Sequence, residues 1–227
     1  MGKALKLLDH NSLKVYLKLI ASRQGKHLSP LTSLVSSGNL KIPRTTAIFN
    51  MGSATDCPSR RLGLCRAFVN GKCVCYALKS EREYRPRTLP FRRKQKKYWM
   101  NTLAEKFATD FITMNMLKTL PYNALRLNES GDFWSQECVE KAEKIARILK
   151  RYGITTYCYT ARSDLDFSRC KRLVVSGSGF CKEGIKGEFL MVKDVKVQRP
   201  RGYGVCVQNC RICRRCLVGE KTVIARH

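Results

Sequence analysis

The sequence predicts an α/β protein: an open, mostly parallel sheet or a partial (β/α) barrel, carrying cysteine-rich metal-binding loops. Three observations lead there. First, residues 124–160 spell a strand, a polar turn, an amphipathic helix and a second strand, the pattern of a βαβ unit. Second, polar turns rich in Gly and Ser follow apolar runs at 129–132, 160–164 and 176–179, where parallel sheets place ligand sites. Third, eight of the 12 cysteines fall into two groups: Cys57, Cys65, Cys73 and Cys75, then Cys206, Cys210, Cys213 and Cys216.

Leu13, Tyr16, Leu17 and Ile20 stand at helical spacing and predict a short amphipathic helix over 12–22, followed by a Ser-, Gly- and Pro-rich loop to residue 43. Residues 45–50 read as a buried strand whose end turns through 52–56 into the first cysteine group. Trp99, Leu103, Phe107 and Phe111 repeat every four residues, so a helix is expected to about Leu120, where Pro121 stops it. The strand 124–127 comes next. Ser135 then caps a helix with the inner face Val139, Ala142, Ile145, Ala146, Leu149 and Tyr152. Glu137 in its first turn and Lys150 and Arg151 in its last complement the helix dipole, and Gly153 ends it. Strands follow at 154–160 and 173–176, one or two more within 189–197, and a last at 222–225. This divides the chain into an N-terminal helix and linker (1–44), an α/β core carrying the first cysteine group (45–205), and a cysteine-rich metal-binding tail (206–227).

The start of the chain is broken by Lys3 and Lys6, too early for a secretory segment, and no window reaches the roughly 20 apolar residues of a membrane span. A cytoplasmic, reduced setting is expected, in which clustered thiols serve metals rather than disulfides. In the tail, Cys210, Cys213 and Cys216 stand at successive two-residue gaps, the ferredoxin manner of wrapping a [4Fe–4S] cluster whose fourth ligand is remote. Cys206, a member of the first group or His227 could complete it. In the first group Cys57 and Cys65 must converge through a loop containing Gly63 and Gly71. Cys73 and Cys75 point to opposite sides in extended chain, so one of them faces the site. One cluster per group is favoured over one shared cluster, with a tetrahedral zinc site as the alternative. Cys138, Cys158, Cys170 and Cys181 are isolated and read as small apolar residues.

The chain carries 44 Lys and Arg against 17 Asp and Glu, a net charge of +27. Such a balance attracts nucleic acid or another acidic partner, or keeps the surface soluble. Between Glu81 and Trp99 eight basic residues interleave with Tyr84, Phe91, Tyr98 and Trp99, which either track and stack on a nucleic acid or open a helix into the core. At the strand-end turns, Glu129 and Asp132 are candidate acid–base residues, and Ser130, Gly131, Ser176, Gly177 and Gly179 are candidate cofactor contacts. Ordinary turn and cap chemistry explains Asp132 and Ser135 equally well.

The ordered motifs Cys57-Pro-Ser-Arg, Gly63-Leu-Cys65, Cys75-Tyr-Ala77, Arg126-Leu-Asn-Glu-Ser-Gly-Asp-Phe133 and Tyr157-Cys-Tyr-Thr-Ala-Arg-Ser163, with the cysteine-rich tail, resemble the phage gene-product-88-like family over about residues 45–227. The resemblance implies that Cys75 is the ligand and Cys73 an extra, and it draws in His227. Such proteins are distantly similar to radical S-adenosylmethionine enzymes, partial barrels with a [4Fe–4S] cluster and a Gly-Gly-Glu turn after the second strand. Cys206-x3-Cys210-x2-Cys213 has that spacing and Glu129–Asp132 stands where the turn would be, which implies S-adenosylmethionine as a cofactor. The spacing lies at the opposite end of the chain from that superfamily's, and Ile212 replaces the usual aromatic. Two classes follow: an iron–sulfur enzyme or electron carrier acting on a macromolecular or polyanionic partner, and a zinc-stabilised nucleic-acid-binding protein without catalysis.

Overall fold

In the computed structural model, which describes residues 29–65, 68–69 and 72–225, the expected parallel sheet is present and open. Eight strands lie in the order β1 (Ser36–Ser37), β2 (Thr46–Phe49), β5 (Ala124–Leu127), β6 (Thr155–Thr160), β7 (Val174–Ser178), β8 (Gly187–Val192), β10 (Thr222–Ala225), β9 (Gly204–Val205). Only β1 runs antiparallel, and β3 (Phe68–Val69) and β4 (Lys72–Cys73) form a separate hairpin. The sheet does not close: β1 and β9 remain as its edges, in keeping with the open architecture expected. Among the described residues seven helices accompany it: α1 (Pro58–Arg61), α2 (Tyr76–Glu83), α3 (Arg85–Asn101), α4 (Ala104–Met116), α5 (Gln136–Lys150), α6 (Val195–Gln198) and α7 (Arg215–Val218), plus a 3-10 turn at Pro30–Ser33.

The βαβ unit forms as read, β5–α5–β6 with parallel strands. Strand alternation sends Ala47, Phe49, Leu125, Leu127, Cys158 and Val175 into the main core with α4 and α5. There Phe49, Trp99 and Phe107 meet edge-on or tilted, with Phe49 and Phe107 centroids 5.0 Å apart. The opposite face carries Ala124, Tyr157, Tyr159 and Val174, covered by Cys216 and Leu217. The two faces of the sheet are thus roofed by different parts of the chain: long helices on one, the tail on the other.

Several elements depart from expectation. The helix anticipated through Trp99, Leu103 and Leu120 is two: α3 starts much earlier, at Arg85, and α4 ends at Met116. The break lies at Thr102 and Leu103, both extended, and Leu103 is 76% exposed rather than part of the stripe. Lys141 Nζ donates to the carbonyls of Trp99 and Thr102, satisfying acceptors that the interrupted helix leaves open. Tyr152 is exposed because α5 has ended before it. Residues 189–197 give one strand and then the short helix α6, and the loop ahead of β2 contains β1. The helix expected at 12–22, and His227, lie outside the described residues.

Candidate metal centre

At the carboxyl ends of β2, β5 and β6 two buried carboxylates organise the loops. Glu81, only 2% exposed, accepts from the backbone N–H groups of Ala54 and Thr55, from the hydroxyls of Thr55 and Ser130, and from Arg92 at 2.8 Å. Burial alone pushes its carboxyl up, but Arg92 and the backbone donors outweigh that and hold it below the usual range. Asp132 accepts from the Ser59 hydroxyl at 2.5 Å, the Thr160 hydroxyl at 2.7 Å, and the N–H groups of Ala161 and Phe133. Here burial wins, and the Asp132 carboxyl is raised despite its donors. With its oxygens so engaged, Asp132 pins α1 to the ends of β5 and β6.

This scaffold gathers the first cysteine group. Cys57 caps α1 without a side-chain hydrogen bond, and Ser59 in that helix is the residue tied to Asp132. Cys57, Cys65 and Cys75 lie within electrostatic reach of one another, and Cys57 and Cys65 within that of Asp132. Burial first, then the Asp132 charge, lifts Cys57 to about 11. Burial, Cys75 and Cys57 lift Cys65 to about 12. Cys73 sits in β4 and directs its thiol toward the Cys75 carbonyl at 3.7 Å.

The tail forms the second group. Val207, Asn209, Arg211, Ile212, Arg214 and Arg215 are exposed, while Cys206, Cys210, Cys213 and Cys216 are each half-buried between them. Backbone bonds from Cys206 to the Val223 carbonyl (2.8 Å) and from Cys210 to the Lys41 carbonyl (3.0 Å) fix the loop to the sheet and to the β1–β2 connection. Cys210 and Cys216 each feel the other three tail thiols or two of them, and burial raises both. Among the described residues no group of three or more His, Cys, Asp or Glu side chains stands close enough to hold a metal ion as placed. Cysteine sulfur is nonetheless the donor type that soft metal ions take, and a bound cation favours the thiolate form.

The turn residues occupy definite places. Glu129 is half-buried and its Oε1 accepts from Asn39 at 2.7 Å, while its carbonyl accepts from the Tyr76 hydroxyl. Ser130 is buried, its N–H on the Asn50 side-chain oxygen and its hydroxyl on Glu81. Gly131 has φ +72°, and a Cβ there would stand 2.7 Å from the Gly52 carbonyl; at Gly177 it would meet the Phe180 carbonyl at 2.1 Å. The close approach these two glycines permit is therefore to the chain's own backbone. Gly179 opens onto free space, and Ser176 is buried in β7.

The basic run resolves in favour of the core for its aromatics. Trp99 is fully buried, Tyr98 donates to Asp110, Phe91 packs on the core, and Arg92 is spent on Glu81. Tyr84 alone of the four is exposed, which removes the interleaved stacking surface, while Arg85, Arg87, Arg93, Lys94 and Lys97 still face solvent. No helix of the described residues is long and apolar enough to cross a membrane.

Arg126, the first residue of the 126–133 motif, is not among the candidate site residues that the sequence offers. It stands in β5 between the inward Leu125 and Leu127, on the sheet face that the tail covers. A charged residue inside an apolar strand was the available signal. Tyr157 and Tyr159, two apart in β6, share that face.

No curated protein and no solved structure shows a significant match to this chain. The sequence model of the Gene product 88 family matches residues 13–178, which takes in Cys57, Cys65, Cys75 and the 126–133 and 157–163 motifs but stops short of the tail cysteines. The resemblance thus begins earlier and ends earlier than the motifs alone suggested. With the match covering most of its length, the chain belongs to the Gene product 88 family.

Proposed function

We propose that this protein is an iron–sulfur protein with two thiolate-held centres, one on Cys206, Cys210, Cys213 and Cys216 and one on Cys57, Cys65 and Cys75. The observation that carries the reading is the convergence of Cys57, Cys65 and Cys75, three thiols spread over 19 residues and brought into mutual electrostatic reach beside the strand ends. Iron is favoured over zinc by the successive two-residue gaps of Cys210, Cys213 and Cys216. When bound, such a centre supplies a one-electron couple. Asp132 and Glu81 hold the loops that present the first thiols, and the Lys41 carbonyl and β10 hold the tail. The exposed Arg85, Arg87, Lys94 and Lys97, with the net charge of +27, suit a polyanionic partner.

Protein purified without exposure to air should be brown, with iron and acid-labile sulfide in excess of one centre per chain. A colourless protein with stoichiometric zinc overturns the iron reading in favour of a zinc-stabilised binding protein.

S-adenosylmethionine is the small-molecule ligand proposed for the 129–132 turn. Glu129 is the residue to test, because removing Asp132 would strip the scaffold of several hydrogen bonds at once. Glu129→Ala should weaken S-adenosylmethionine binding to the loaded protein by about tenfold, the loss of one charge-assisted hydrogen bond. Equal binding by wild type and variant in equilibrium dialysis removes the turn from the ligand site.

A further inference from the structure

We propose that Arg126 is the counter-cation of the tail's metal–thiolate centre, a positioning residue that raises the affinity of Cys206, Cys210, Cys213 and Cys216 for metal. The proposal rests on the two-centre reading and adds a residue outside the cysteine groups.

Arg126 is half-buried on the face of the sheet, in register with Tyr157 of β6 and Ile48 of β2. Its guanidinium lies 5.2 Å from the centre of the Tyr159 ring, and one Nη donates to the Tyr76 hydroxyl over a long 3.4 Å. Its Nε is buried and has no hydrogen-bond partner. Among the described residues no carboxylate lies within ion-pair distance of it; Glu129 acts on it from further away and is itself held by Asn39. A guanidinium withdrawn from water without an anion is costly, so the surroundings should supply one.

The anion at hand is the tail. Cys216 packs into the cluster of Ala124, Tyr157, Val174 and Tyr159 that flanks Arg126, and Cys210 and Cys216 both lie within the reach of its charge. Four thiolates on a dication, or on a cluster core of the same charge, leave net negative charge on the centre. Arg126 would neutralise part of it across a low-dielectric sheet face. The first group is placed differently. Cys57 meets most strongly the charge of Asp132, of the same sign as a thiolate, and the cation acting on Cys65 is Arg60. The guanidiniums near that group are hydrogen-bonded within its own loops: Arg60 with the Ala54 and Thr55 carbonyls, Arg162 with Asp164 and the Phe133 carbonyl.

The test is a zinc competition against a chromogenic chelator on the full chain, with zinc as the probe of both thiol groups and Cys213→Ser identifying the tail phase. Arg126→Gln and Arg126→Met should release tail zinc at roughly 10–100-fold lower chelator strength, the usual effect of losing an outer partner of a metal site. Arg126→Lys, which keeps the charge, should recover most of that loss, and zinc on the first group should be unmoved. In iron-loaded protein the Gln and Met variants should show a more negative reduction potential, because the cation that favours the added electron is gone. Two variants of different polarity, checked by circular dichroism, guard against simple misfolding. Loaded wild type with unchanged retention in folded Gln and Met variants overturns the proposal alone. Wild type that takes up neither zinc nor iron overturns the two-centre reading, and this proposal with it.

Discussion

Cys210→Ser/Cys213→Ser protein, prepared without air, should contain half the metal of wild type, and Cys57→Ser/Cys65→Ser protein the other half. This follows from the separation of the two thiol groups. The first is organised by Asp132 and α1 at the strand ends, whereas the second lies over Tyr157 and Tyr159 on the sheet face. Serine is close in volume to cysteine but a poor ligand for a soft metal, so the substitution removes binding with little change in packing. A single shared centre predicts a different result: either pair of substitutions would empty the protein. The tail variant should remain folded, because β10 pairs with β8 over four residues and Val223 is fully buried independently of the metal. Hydrogen exchange should instead rise at 206–216, a segment with few buried groups of its own.

Glu81→Ala should destabilise the protein by about 3–5 kcal/mol, the cost of breaking a buried ion pair from one side. For a chain of this size that corresponds to a fall in Tm on the order of 10 °C. The variant strands Arg92, which is 6% exposed, and leaves the Ala54 and Thr55 N–H groups and the Ser130 hydroxyl without their acceptor. Because those groups set the approach to Cys57 and the 128–132 turn, the metal proposed for the first thiol group should be lost with the stability, while that proposed for the tail persists. Thermal unfolding followed by circular dichroism measures the first effect and metal content the second. A Tm within a degree or two of wild type would show that the hub is dispensable.

The two hub carboxylates also give opposite pH dependences. Glu81 has a native pKa below its unfolded value, so its contribution is present above about pH 4 and is lost as pH falls through the native value. Asp132 has a native pKa above its unfolded value, so it favours the fold at low pH and that contribution is lost as pH rises through the native value. Glu81→Gln should therefore be less acid-labile than wild type relative to its own stability at neutral pH, measured by denaturant unfolding at a series of pH values.

Strand–helix–strand periodicity from 124 to 160 was plain in the sequence because one face of α5 is buried along its length, and a parallel pair needs such a crossover. The cysteine groups were equally plain as spacing. The break at Thr102 and Leu103 was hidden, since apolar residues continue at helical intervals through it and only the Lys141 contacts show how the open carbonyls are met. The aromatics among the basic residues of α3 read either way until packing placed Trp99 against Phe49 and Phe107.

At the site itself, residue order and spacing carried the identity of the thiol groups, the turn at 129–132 and the family, because these are properties of local chain. Which thiols share an environment, that Asp132 and Glu81 serve as hubs, that Gly131 makes room for Gly52, and that the charge of Arg126 reaches Cys210 all depend on pairs far apart in the chain. Such contacts arise only when parallel strands bring their ends and faces into register. Burial then sets the charge on each group, through desolvation and long-range partners that no local pattern records.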